Sequence, residues 1–187
     1  MSPQPVFLDA NVLVPVSFAD MLLSLAERGV LSPFWSEHVM TAALSAAKHR
    51  RPDLPPASVE RRFAAMRRSF PAAMVDCADL DPANYPSPDP EDRLIIGAAH
   101  RSPADVIVTR NISDFPAPTL ERYGLSAMTP DSLLLKLLTT HQSAVVSVLH
   151  DITAALRNPP LSLDGVLANL GTAGAPGFAA AVSKLKP

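Results

Sequence analysis

The stretch Val6-Phe7-Leu8-Asp9-Ala10-Asn11-Val12-Leu13-Val14 sets an acid into an otherwise apolar run close to the N-terminus. A short, continuous apolar run reads as a strand buried on both faces, as in a parallel sheet. An ionised carboxylate there is costly to desolvate unless it is paired, hydrogen-bonded or bound to metal. Capping does not account for an acid that ends an apolar strand. Asp9 therefore calls for a partner elsewhere in the chain.

The segments that follow alternate between helical and strand patterns. Phe18 to Arg28 carries Met21, Leu22, Leu25 and Ala26 at helical spacing, with Gly29 as a stop. Leu31 to Trp35 is a short strand, and Ser36 is an N-cap for a helix through Arg50. Prolines at 52, 55 and 56 break the chain before a helix over 57–70. Ala73 to Cys77 is a short strand candidate, and 79–88 is a proline-punctuated loop. Asp89-Pro90-Glu91-Asp92 opens the next helix, Ala104 to Thr109 is the clearest second strand, and Ser126 to Met128 is a minor one. This alternation predicts an α/β sandwich with a mostly parallel sheet. Beyond Pro130 the pattern is all helical: Leu133 to Leu138, Ser143 to Leu156, a shorter helix after Leu163, a turn over Gly171 to Gly177 and a last helix near Phe178. The expected division is an α/β domain over 1–130 and a helical extension over 131–187.

Composition narrows the function classes. An apolar share of 48% supports a real core, and a net charge of −2 gives no global signal for nucleic acid. The lone cysteine, Cys77, rules out an internal disulfide framework and is expected to be buried and inert. The N-terminal run lacks a basic leader and contains Asp9 and Asp20, and no uncharged stretch is long enough to span a membrane. A cytoplasmic protein with no membrane partner is the expectation.

The acids suggest where chemistry sits. In parallel α/β sheets, ligand sites gather beyond the carboxyl ends of the strands. Asp9 ends the first strand, Asn111 and Asp114 follow the 104–109 strand, and Asp89, Glu91 and Asp92 start a helix expected to face the same edge. Converging carboxylates raise one another's pKa, and Mg²⁺ or Mn²⁺ would relieve that conflict and activate a water. Structural readings stand beside this one. Asp89-Pro90-Glu91-Asp92 is also a sound helix start, and Asn111 and Asp114 also suit a turn.

At these residues the chain resembles the PIN domain family, metal-dependent ribonucleases that include VapC-type toxins of bacterial toxin–antitoxin pairs. The matching pieces are Phe7 to Leu13, Asp89 to Arg93 leading into Ile96-Gly97-Ala98-Ala99, and Val106 to Phe115, in order over Val6 to Asp131. The tail, with Ala155-Leu156-Arg157-Asn158-Pro159-Pro160-Leu161, resembles the helical extension of one subgroup. The resemblance implies a three-layer α/β/α sandwich and hydrolysis of RNA by a metal-activated water without a covalent intermediate. It implies Asp9, Asp92 and Asp114 as catalytic acids and Mg²⁺ or Mn²⁺ ligands, with Asp89 as a further ligand. Asn11 would orient Asp9, Glu91 would support the central acid, and Thr109 and Asn111 would assist metal or water. It also implies a homodimer and a cognate antitoxin covering the site.

One departure stands out. The family usually carries a Glu in the helix after Trp35-Ser36, and here that place falls at Ala42. Glu37, His38 and Glu60 are the candidate substitutes. The gap supports an alternative, a degenerate PIN module that binds RNA or protein without cutting. A phosphotransferase with Asp9 as nucleophile is a third reading, disfavoured because Asn11 stands where a second Asp is expected. Finally, Lys48, Arg50, Arg51, Arg61 and Arg62 form a basic stretch that could track an RNA backbone, or simply be a solvated helix face.

Overall fold

The computed structural model describes residues 2–157 and 159–185, so Asn158 of the tail motif lies outside the described residues. The central strand is Gln4–Leu8 (β1), whose Val6, Phe7 and Leu8 are fully buried. Leu31–Ser36 (β2) pairs with it on one side, and Met74–Val75 (β3) lies outside β2. Val106–Val108 (β4) pairs on the other side, with Ser126–Met128 (β5) beyond it. The sheet runs β3-β2-β1-β4-β5, and every neighbouring pair is parallel. Helices flank it, as the alternation of patterns predicts.

The strand ends at the acid, as expected, and the rest of the apolar run changes conformation. Pairing ends at Leu8 opposite Val108, and Ala10–Leu13 forms a single helical turn (α1). The Asp9 N–H still donates to Val108 O at 3.1 Å, while its carbonyl accepts from Val12 N at 3.0 Å. Asp9 is therefore the switch residue between strand and helix. Periodicity alone cannot separate a buried strand from a buried helical turn in so short a run.

Val16–Glu27 (α2) follows, and Gly29 ends it with φ +68°, a conformation that favours glycine. Glu37–Arg50 (α3) is capped by Ser36 Oγ, which accepts from Val39 N at 3.3 Å. Pro56–Ser69 (α4) turns Val59, Phe63 and Met66 inward. Pro90–Arg101 (α5) is covered by the 79–88 loop. A Cβ on Gly97 would sit 2.7 Å from Leu80 Cδ1 and 2.8 Å from Tyr85 Cε2, so only glycine admits this approach. The short helix Ala117–Leu120 (α6) leads to β5.

The C-terminal part comprises Pro130–Thr140 (α7), Gln142–Ala155 (α8), Leu163–Ala173 (α9) and Pro176–Ser183 (α10). The expected turn over Gly171 to Gly177 is shorter: α9 runs through Gly171, and the break falls at Gly174 and Ala175. Helices α8 and α9 pack on α2, and α10 packs on α7 and α9. Their Val148, Leu167 and Phe178 share one apolar cluster with Phe7 and Phe18. Asp131 fastens the end of the chain, accepting from Phe178 N at 2.7 Å and Gly177 N at 3.2 Å. Helices α7 and α8 bend by 117°, and among the described residues no single helix is long and apolar enough to cross a membrane.

Candidate active site

The predicted acids meet at the carboxyl edge of the sheet. Asp9 follows β1, Thr109 follows β4, Asp92 lies in the first turn of α5, and Asp114 lies in a tight turn over Ile112–Asp114. This is the edge where parallel sheets place their ligand sites.

Asp9 is 6% exposed and Thr109 is fully buried. Thr109 Oγ1 donates to Asp9 Oδ2 at 2.7 Å, and Asn11 Nδ2 donates to the same oxygen at 2.6 Å. Asn11 Nδ2 also lies 3.0 Å from Thr109 Oγ1, and Asn111 N donates to that hydroxyl at 3.1 Å. Arg110 N completes the ring by donating to Asn11 Oδ1 at 3.0 Å. The buried carboxylate thus has the partners its position demands. Asn11 and Thr109 both donate to Asp9, and the Thr109 hydroxyl also accepts from the Asn111 amide. Asn111 contributes its backbone to this ring.

Charge couples the remaining acids. Burial raises the Asp9 pKa, opposed by Thr109 and the amides of Ala10 and Asn11, and the charge of Asp114 raises it further. Asp92 is pushed up to about 6, first by burial, then by Asp89 and Asp114, with Ser87 pulling down and Asp9 adding a little. Like charges that raise one another's pKa are the signature of converging carboxylates. Asp89 also does what a helix start requires, since its Oδ1 accepts from Glu91 N at 2.9 Å. The capping reading and the electrostatic one both hold at that residue.

Ser87 is a site residue that the sequence reading missed. It is buried, and its hydroxyl lies 3.4 Å from Asp92 Oδ2 while accepting from Asp89 N at 3.3 Å. Arg93 Nε fixes the same loop by donating to Ser87 O at 2.6 Å. A serine two residues before a capping Asp was the available signal.

The candidate substitutes for the absent Glu at Ala42 are engaged elsewhere. His38 Nε2 lies 2.6 Å from Glu91 Oε2, Glu37 pairs with Arg67, and Glu60 Oε1 takes Lys48 Nζ at 2.5 Å. Glu91, the expected support for the central acid, is engaged with His38 of α3. Among the described residues, no three acidic, imidazole or thiol side chains stand close enough to form a ready-made metal cage. The donor set still fits a hard cation. Asp9, Asp92 and Asp114 offer carboxylate oxygens whose mutual repulsion a divalent ion would relieve, and Mg²⁺ characteristically binds through one or two carboxylates and retained waters.

The basic stretch is not one free patch. Lys48 is paired with Glu60, and Arg51 holds Asp53 through both Nε and Nη2. Arg62 is half-buried and donates to Leu13 O at 2.9 Å and Val14 O at 3.3 Å, closing the C-terminal end of α1. Arg62 thus has a structural contact beside its expected place in the basic stretch. Arg61 Nη2 meets only Ser58 Oγ at 3.0 Å, and Arg50 is exposed. Cys77 is half-buried rather than buried, and burial pushes its thiol pKa up, which lowers its reactivity.

Comparison with known proteins agrees with this geometry. The profile of a PIN domain matches residues 5–113, and one described as the VapC50 C-terminal domain matches residues 130–184. Over 97 residues the chain is 36% identical to a Mycobacterium tuberculosis (strain ATCC 25618 / H37Rv) protein named "Putative ribonuclease VapC50". That alignment covers 52% of this chain and 57% of the relative, so the match spans little more than half of either. No solved structure matches the chain.

Proposed function

The chain belongs to the PIN domain family, and from that premise we propose that it is a divalent-metal-dependent endoribonuclease, the toxin of a type II toxin–antitoxin pair. The observation that carries this is the buried Asp9 carboxylate, held by Thr109 and Asn11 and coupled through charge to Asp92 and Asp114. Asp9, Asp92 and Asp114 would hold Mg²⁺ or Mn²⁺, with Asp89 adding negative charge. When bound, the ion supplies Lewis acidity and an activated water for hydrolysis of an RNA phosphodiester. Thr109 and Asn11 keep the Asp9 oxygens aimed at one point, so the acid needs no reorientation as charge develops. Ser87 and Arg93 fix the loop that sets the height of Asp92. Action in the cytoplasm, a homodimer and a cognate antitoxin belong to the same reading.

The test is cleavage of a mixed RNA pool with Mn²⁺, Mg²⁺ or EDTA, comparing the natural chain with Asp9→Asn. Metal-dependent cutting lost in Asp9→Asn is the expected result. Cutting that persists in EDTA, or in Asp9→Asn, would refute the assignment.

A second reading has a specific observation behind it. Ala42 supplies no acid, and Glu37, His38 and Glu60 are each engaged elsewhere. A module that binds RNA or protein without cutting would fit that arrangement. If the natural chain is silent, Ala42→Glu separates the two: restored cutting identifies a decayed nuclease, and continued silence favours binding alone. The phosphotransferase reading loses its ground. Asn11 donates an amide hydrogen to Asp9, where general acid catalysis would need a carboxyl group.

A further inference from the structure

A groove of about 520 Å³ opens beside the acidic edge, between the start of α2, the end of α3, and α9. Arg50, Arg51, Arg62 and Arg110 line it, and no carboxylate does. In a chain of net charge −2, four arginines around one carboxylate-free groove is a strong local asymmetry. The four are not equivalent. Arg51 is held by Asp53, and Arg62 closes α1. Arg50 and Arg110 are exposed, and among the described residues neither guanidinium has an ion-pair or hydrogen-bond partner.

Arg110 links the groove to the acids. It follows Thr109 directly, and its own N–H donates to Asn11 Oδ1 at 3.0 Å. Its guanidinium lies over the turn between α9 and α10: a Cβ on Gly174 would come within 3.4 Å of Arg110 Nε. The opposite wall is α9, which presents Asn169 and Thr172, both exposed. The C-terminal helices thus do more than cover α2. They form one wall of a cationic groove that adjoins the acidic edge through Arg110.

We infer that this groove carries the phosphodiester backbone of the substrate RNA into the acidic site, with Arg110 and Arg50 as its phosphate contacts and α9 as its outer wall. The inference rests on the ribonuclease reading and assigns its substrate path. It also moves the RNA contacts away from Lys48, Arg61 and Arg62. An acidic polymer suits the groove because its charge is one-sided, and two free guanidinium groups in its lining suit phosphate oxygens.

The experiment measures binding of a labelled single-stranded RNA in EDTA across a salt series, for the natural chain and for Arg110→Gln, Arg50→Gln, Thr172→Glu and Arg122→Gln. Arg122 precedes the amino-terminal end of β5, at the opposite edge of the parallel sheet from the acids, and serves as the control. Each phosphate contact on a single strand contributes about 0.7 to the log–log salt slope, so each arginine variant should lower the slope by about 0.7 and weaken binding about fourfold near 0.15 M salt. Thr172→Glu should weaken binding at low salt, and Arg122→Gln should change nothing. Thermal melting of each variant checks that the fold is intact. Slopes unchanged in Arg110→Gln and Arg50→Gln, with the natural chain still cutting RNA in Mn²⁺, would overturn the groove and leave the nuclease standing. A natural chain that neither binds nor cuts RNA would overturn both.

Discussion

Two regions of this molecule carry concentrated charge, and they resolve it in opposite ways. At the edge beyond β1 and β4, the acids gather with only hydroxyl and amide groups for support, and the charge of Asp114 raises the pKa of both Asp9 and Asp92. Along α3 and α4, the bases are largely answered within the chain by Glu60, Asp53, Glu37 and the carbonyls of α1. Unresolved charge is a marker of function, because folding alone gives no reason to keep it. Resolved charge is a marker of structure. By that criterion we assign Asp9, Asp92 and Asp114 to the proposed chemistry, and Lys48, Arg51 and Arg62 to the scaffold.

The strongest way to break this contrast is at Asp9 and its partner. Asp9→Asn should reduce metal-dependent RNA cleavage to background. Thr109→Val should retain the shape of the site while withdrawing the hydroxyl from Asp9 Oδ2. Loss of such a supporting partner typically lowers metal affinity or activity about 10–100-fold. Thr109→Ser, which keeps the hydroxyl, should recover most of it. If Thr109→Val cuts as fast as the natural chain at saturating and limiting Mn²⁺ alike, the positioning role is wrong.

Asp9 was legible in the sequence because burial of an acid leaves so few explanations. The neighbouring apolar residues announced a buried segment, and the acid within them announced a partner. Thr109 could be placed at the right strand end, but its role could not be read, since a hydroxyl gives no sign of which neighbour it will bond. The helical turn after β1 went unread for a similar reason: Val12 and Leu13 are buried in that turn and would be buried in a strand. The basic stretch was the least legible. Lys48 and Glu60 sit on different helices, as do Glu37 and Arg67, so their pairing depends on how α3 and α4 pack. The wall that α9 adds beside Arg110 depends on a contact between the two ends of the fold, which no local spacing encodes.

A smaller effect sharpens the acidic side. Asp92 ionises near its ordinary 3.8 in the unfolded chain but at about 6 in the metal-free fold. Between those values the folded state binds more protons than the unfolded one, so stability should fall as pH rises through this window and level off above it. Asp92→Asn should remove that slope and raise the melting temperature in EDTA at about pH 7. In the same variant, the stabilisation that Mn²⁺ gives the natural chain by preferential binding to the fold should shrink. Melting curves over pH, with and without Mn²⁺, test both points. An unchanged slope in Asp92→Asn would remove Asp92 from the coupled set.

The basic side should answer with a graded stability pattern. Arg62→Gln removes charged hydrogen bonds to Leu13 O and Val14 O, which should cost about 1–3 kcal/mol in urea unfolding. Arg61→Gln removes only an exposed contact to Ser58 and should stay within about 0.5 kcal/mol. The weakest link is Lys48 with Glu60, both substantially exposed, where a double-mutant cycle should give about 0.2–1 kcal/mol. That coupling should fade with added salt, because exposed charges are screened. The same cycle read in RNA binding should give no coupling: a lysine answered by its own glutamate has little charge to offer a phosphate. A Glu60→Gln variant that binds RNA more tightly and with a steeper salt slope would mean that Lys48 is merely held in reserve, and the line between scaffold charge and working charge would have to be drawn elsewhere.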